Sequence, residues 1–156
     1  MIEIRQMHRF DVKNVAEAGK LMHAEGVFGN ADYDKKKVTR MLDDYRANDD
    51  KLALVADYDD GVNEGAAIIG WFLANLGNHY FGNSSVAIEQ NMFVHPLHRG
   101  GPTATHFMNK FDHWARYKEA DFMLFMPCNN GVRDGWKRFA RTHGYNQTGY
   151  IFQKEL

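Results

Sequence analysis

The run Phe93-Val94-His95-Pro96-Leu97-His98-Arg99-Gly100-Gly101-Pro102-Thr103-Ala104 constrains this chain more than any other part of it. Upstream, Val86 to Val94 is apolar and of strand length. Downstream, Ala104, Phe107, Met108, Phe111 and Ala115 recur on one face of a helix, with Asn109, Lys110, Asp112 and Arg116 elsewhere on it. A strand that passes through a short turn straight into an amphipathic helix must lay that helix back over its own sheet, so an α/β layered fold is expected. The turn is basic and glycine-rich. At a helix start the first N–H groups are unpaired and the dipole is positive, and glycine lets an anion approach the backbone, so a phosphate-binding turn and a plain strand-to-helix connection are both open.

The rest of the sequence supplies the sheet and its cover. Ile2 to Gln6 alternates as a half-buried strand, and Asp11 stands in a good N-cap position before Val12, Val15, Ala16 and Met22, with Gly26 as the stop. Val38, Met41, Leu42 and Tyr45 signal a second helix, with Asp34 near its start. Leu52 to Tyr58 and Ala66 to Leu76 read as strands joined by the turn residues Asp59, Asp60, Gly61 and Asn63, and Gly77 to Ser85 is turn-rich before the strand Val86 to Val94. Phe122 to Met126 is a short strand, Val132, Trp136, Phe139 and Ala140 mark a helix ending at Gly144, and Tyr150 to Gln153 closes the chain as a strand. With no repeat or linker in 156 residues, and 44% of them hydrophobic, one domain spanning 1–156 is expected.

Nineteen basic and twenty acidic residues leave a formal charge of -1, with no global field to hold a polyanion, so no nucleic-acid partner is expected. The longest apolar stretches, such as Gly65 to Leu76, are far short of the roughly 20 residues of a membrane span, and Met1 to Asp11 carries charges throughout, unlike a secretory signal. A soluble, cytoplasmic protein follows as the expectation. The lone Cys128 agrees with it, since it has no internal partner for a disulfide. His95, His98, His106 and His113 have no Cys or carboxylate to complete a tetrahedral set, so no metal site is expected.

Element order and the central segment together resemble the GNAT superfamily of acyl-CoA-dependent N-acyltransferases. Its motif is an apolar strand ending in Val-x-Pro, followed by Arg or Gln-x-x-Gly-x-Gly or Ala at a helix start. Val94, Pro96, Arg99 and Ala104 match in register, whereas Pro102 stands where Gly is usual. The resemblance implies an α/β (α+β) fold with a mixed, mostly antiparallel sheet of six to seven strands flanked by about four helices. It implies that backbone N–H groups around Arg99, Gly100, Gly101, Thr103 and Ala104 hold the diphosphate of acetyl-CoA, with the Arg99 charge beside them and the Thr103 and Thr105 hydroxyls replacing the donor that Pro102 removes. The pantetheine arm would lie along the backbone of Met92, Phe93 and Val94.

The same likeness implies a direct transfer of an acetyl group to a small-molecule or peptide amine, with Glu89 as the base that removes the ammonium proton. Glu89 lies in an apolar strand where desolvation should raise its pKa, and Gln90 and Asn91 beside it are candidates to bind substrate or water. The tyrosine that usually protonates the leaving thiolate is replaced by Ala140 in Phe139-Ala140-Arg141-Thr142-His143-Gly144-Tyr145. Phe28, Tyr33 and Tyr80 are candidates to line the acceptor site, with Asp32 or Asp34 attracting a cationic amine. Two other readings stay open: an acyl-CoA-binding or regulatory protein with little turnover, and a transferase acting on protein Lys side chains or N-termini. A homodimer is the default assembly.

Overall fold

The computed structural model describes residues 1–59, 61, 66–127, 133–149 and 153–154. Five strands form one sheet in the order β1 (Ile2–Gln6), β2 (Lys51–Tyr58), β3 (Ala67–Asn78), β4 (Ser85–Val94) and β5 (Phe122–Leu124). The first four are antiparallel neighbours, and β5 runs parallel to β4. The sheet is therefore mixed and mostly antiparallel, with five strands among the described residues in place of six to seven. Most of the closing strand expected at Tyr150 to Gln153 lies outside the described residues, as do Cys128, Val132 and the turn residues Asp60 and Asn63.

Four helices cover the sheet: α1 (Val12–Glu25), α2 (Lys35–Ala47), α3 (Thr103–Tyr117) and α4 (Arg133–Thr142). On one face Leu52, Leu54, Phe72, Ala74 and Met92 meet Phe107, Met108 and Phe111 of α3, with Trp136 and Phe139 of α4 packed against the same cluster. On the other, Ala53, Val55, Trp71, Leu73 and Phe93 meet Val12, Val15 and Ala16 of α1 and Leu42 of α2. The period-2 alternation of β2 and β3 thus feeds both layers, because successive side chains point to opposite faces of a strand. Phe72 is fully buried between Phe107 and Phe111, with ring centroids 5.9 and 5.1 Å away.

The helix ends are set by different means. Asp34 caps α2, its side chain accepting from the N–H groups of Lys36 and Lys37 at 2.9 and 3.1 Å. Asp11 precedes α1 as expected but does not cap it. Its carboxylate instead accepts from the Arg5 guanidinium at 2.7 and 3.0 Å and from the His8 N–H at 2.6 Å, and Arg5 also donates to Asp57 at 2.6 Å. An ion pair with two good hydrogen bonds outcompetes a single neutral amide, and it ties α1 to the strand pair β1–β2. Gly144 ends α4 region as read from the sequence, with a left-handed φ of 82°.

Because Phe72 fills the layer beneath α3, Phe72→Ala should cost about 3–5 kcal/mol of folding stability. Urea denaturation checks this, with the midpoint falling at unchanged m-value.

Candidate coenzyme and acyl-transfer site

β4 carries the site, and two irregularities in it decide the geometry. Its pairing with β3 slips between Leu73, opposite Asn91, and Ala74, opposite Glu89, so Gln90 is an extra, exposed residue. A bulge of this kind bends the strand and re-aims side chains. Its pairing with β5 stops at Ile88 opposite Leu124, and beyond that point no described strand pairs this edge of β4. Glu89 stands at the fork.

Glu89 is only 2% exposed. Its carboxylate accepts the Met126 N–H at 3.0 Å, across the gap that opens between the two strands. Burial pushes its pKa up to about 7, and the Met126 hydrogen bond pulls the other way. Asn91 is not free to bind a substrate through its carbonyl, since its Oδ1 accepts the Trp71 indole N–H at 2.7 Å. Tyr145 packs on Phe125 with centroids 5.9 Å apart, and its buried hydroxyl has no hydrogen-bond partner. Burial, and then the charges of Asp112 and Glu89, raise that phenol to about 12. The tyrosine is thus a packed, protonated neighbour of the fork.

After Val94 a single 3-10 turn, Pro96–His98, leads to Gly100 and Gly101 and then to α3. Gly100 has φ +81°, which side chains rarely adopt, and open space where a Cβ would sit. Pro102 is the N-cap of α3 and not its first helical residue, its carbonyl accepting the His106 N–H at 2.9 Å. The missing proline donor therefore costs the helix nothing. The N–H groups of Gly100, Gly101, Thr103, Ala104 and Thr105 donate to no described residue. No acidic side chain stands in the first turn of α3 to compete for them, and the Thr103 hydroxyl, on a residue 1% exposed, also lacks a partner. Five clustered donors at a helix start suit a diphosphate.

The Arg99 side chain turns away from this set of amides. Its N–H donates to the Pro96 carbonyl at 3.3 Å. Its Nε donates to the Val94 carbonyl at 2.8 Å, its Nη2 to Glu25 Oε2 at 2.5 Å, and its guanidinium lies 5.6 Å from the Phe93 ring centroid. Phe93 belongs to the layer beneath α1 and α2, so Arg99 folds onto the face opposite α3. The sequence marks this residue but not the direction of its side chain, which Glu25, 74 residues earlier, decides. Met92 and Phe93 are buried, one in each layer, so the side chains that flank this stretch of β4 are committed to packing.

The acceptor candidates separate. Asp34 is spent on its helix cap, and the Tyr33 hydroxyl donates to the Ala16 carbonyl at 2.6 Å. Tyr80 is exposed in the turn before β4, whereas the phosphate turn follows β4, roughly 30 Å away at strand rise. Phe28 and Asp32 remain exposed in the loop after α1. His95 and His98 contact each other and, for His98, Tyr58, and among the described residues no three potential ligands gather as for a metal ion. Lys137, Arg138 and Arg141 are exposed on α4 and, with Thr142, are the described residues that line a shallow depression of about 550 Å³. No helix among the described residues is long and apolar enough to cross a membrane.

The fold recurs in solved structures. The chain has the GNAT fold. A predicted acetyltransferase with acetyl-CoA from Clostridium acetobutylicum superposes with a TM-score of 0.74 at 16% identity, covering 99% of this chain and 96% of that one. Glucosamine-6-phosphate N-acetyltransferase from Arabidopsis thaliana gives 0.72 at 13%, covering 99% and 98%. A transcriptional regulator from Bacillus halodurans C-125 gives 0.74 at 15%, covering the whole of both chains. No protein-family model and no curated protein sequence matches this chain. At such identities the likeness carries the fold, and the site rests on its own geometry.

A buried carboxyl whose pKa is raised from 4.5 to about 7 holds a proton in the folded chain that the unfolded chain has released. Stability is thereby lost as pH rises from about 4.5 to 7 and stays low above it, by on the order of 3 kcal/mol at roughly 1.4 kcal/mol per unit. Glu89→Gln should therefore match wild type near pH 4.5 and melt higher than it at pH 8. Melting curves across that range decide the point, and a constant offset at every pH would contradict the assignment.

Proposed function

We propose that this chain is a GNAT N-acetyltransferase that binds acetyl-CoA between β4 and β5 and transfers its acetyl group directly to an amine. The observation that carries the reading is the coincidence of a strand edge with no described partner, five N–H groups in the turn and helix start beyond it that donate to no described residue, and a buried carboxyl at the fork. The Gly100, Gly101, Thr103, Ala104 and Thr105 amides would hold the diphosphate. The backbone of Met92, Phe93 and Val94 would pair with the pantetheine arm as an added strand does with a sheet edge.

Glu89, poised near neutrality, accepts the proton of the incoming ammonium, directly or through one water. The amine lone pair then adds to the thioester carbonyl carbon, the C–S bond breaks as the tetrahedral adduct collapses, and the proton that the adduct nitrogen gives up in becoming an amide passes through water to the sulfur of free CoA. A thiol with pKa near 8.5 leaves tolerably without a strong acid. That suits a chain with Ala140 at the place of the usual tyrosine. Small-molecule amines and peptide amines are both acceptors this chemistry serves.

A second reading, an acyl-CoA-binding protein with little turnover, is favoured by Ala140 and by the missing Pro102 donor. The two separate experimentally. Acetyl-CoA at a hundred times its dissociation constant should stabilise the native chain by about 2.7 kcal/mol, read as a rise in melting temperature. Thiol release with an amine panel, and acetyl mass shifts on lysate proteins, should then show turnover. The rate should rise with pH through an apparent pKa near 7 and lose that limb in Glu89→Gln. Stabilisation without release by either route supports the binding protein, and no stabilisation removes the coenzyme reading altogether.

A further inference from the structure

α1 ends on Glu25, and the loop that follows, 26–34, is held by hydrogen bonds within itself, to α1 and, at the Val27 carbonyl, to the Gln153 side chain at 3.0 Å. Gly26 N–H donates to the His23 carbonyl at 3.0 Å, Gly29 N–H to the Gly26 carbonyl at 3.1 Å and Ala31 N–H to the Phe28 carbonyl at 2.9 Å. The His23 ring nitrogen Nε2 lies 2.9 Å from the Ala31 carbonyl oxygen, and a Cβ at Gly29 would meet the Ala24 carbonyl at 2.9 Å. A loop bonded at this density moves as a piece with the end of α1. Arg99 connects that piece to the turn 95–101, because one guanidinium holds both Glu25 and the Val94 carbonyl and rests over Phe93.

We infer that Glu25 is a positioning residue, through which the occupied phosphate turn orders the loop 26–34 on the opposite face of the sheet. The inference rests on the coenzyme reading above. Anchoring a diphosphate on the Gly100 and Gly101 amides fixes the backbone on either side of Arg99. The guanidinium fork is planar and donates along set directions, so a fixed turn fixes Glu25 as well. Phe28 and Asp32, exposed in that loop, are thereby placed for an amine only once the acyl donor is bound. Such coupling between sites is reciprocal, and an amine held by the loop would strengthen coenzyme binding by the same factor.

Amide hydrogen exchange with saturating CoA, read on peptides covering 99–105 and 26–34, tests this. In the wild-type chain CoA should slow exchange in both segments, in 26–34 by about fivefold or more, the lower end of ordinary site-to-site coupling. In Glu25→Gln the slowing in 99–105 should persist and that in 26–34 should disappear. Arg99→Lys breaks the same link from the other end, since an ammonium cannot hold both oxygens in the fork geometry, and should give the same pattern. The Glu25–Arg99 pair is partly exposed, so neither variant threatens folding. Protection of 99–105 alone in wild type overturns the inference and leaves the coenzyme reading standing. Protection of 26–34 that survives both substitutions also overturns it, and no protection in either segment overturns the coenzyme reading itself.

Discussion

Beyond Ile88 the strand β4 has no described partner on the β5 side, and the chemistry of the chain is arranged around that gap. A sheet edge in the middle of a folded layer is costly to leave open, since its N–H and C=O groups lose water without gaining partners. The extra residue Gln90 supplies the bend, and the Glu89 carboxylate accepts the Met126 amide N–H across it. The hydrogen bond and the burial act on that carboxyl in opposite senses. Burial is the larger, and a carboxyl that would be ionised on any exposed strand sits near neutrality here.

The two faces of the sheet divide the remaining work. α3 brings a helix start free of acidic neighbours to the end of β4, so its amides stay available. Arg99 leaves from the same turn toward α1 and α2, where it neutralises Glu25 and bridges to Val94. Positive potential at the turn therefore comes from backbone dipoles, whose directions are fixed, more than from a mobile side chain. A cradle of that kind offers a phosphate donors that carry no counter-charge to displace.

The order of elements and the span of the coenzyme segment were legible in the residues. Alternation in β2 and β3, the 3.6-residue period of α3 and the turn chemistry at Gly100 and Gly101 are local signals that tertiary contacts had no reason to override. Asp34 also read correctly, because a cap depends only on amides two and three residues away. Asp11 stands at the N-cap position as read, but its carboxylate is engaged elsewhere: Arg5 on β1, held also by Asp57 on β2, offers it a stronger partner than a helix amide.

The sequence by itself determined a mixed α/β layering and the strand–turn–helix from Val86 to Thr105, since each follows from spacing along the chain, while Glu89 became a candidate through the family resemblance. Only the tertiary structure decided where the β4–β5 pairing ends, that Gln90 is the bulged residue, and that the Arg99 side chain bridges Val94 and Glu25. Those outcomes depend on groups far apart in the chain. Met126 lies 37 residues from Glu89 and Glu25 lies 74 from Arg99, and at such separations only the folded sheet determines which partner a charge or an amide meets.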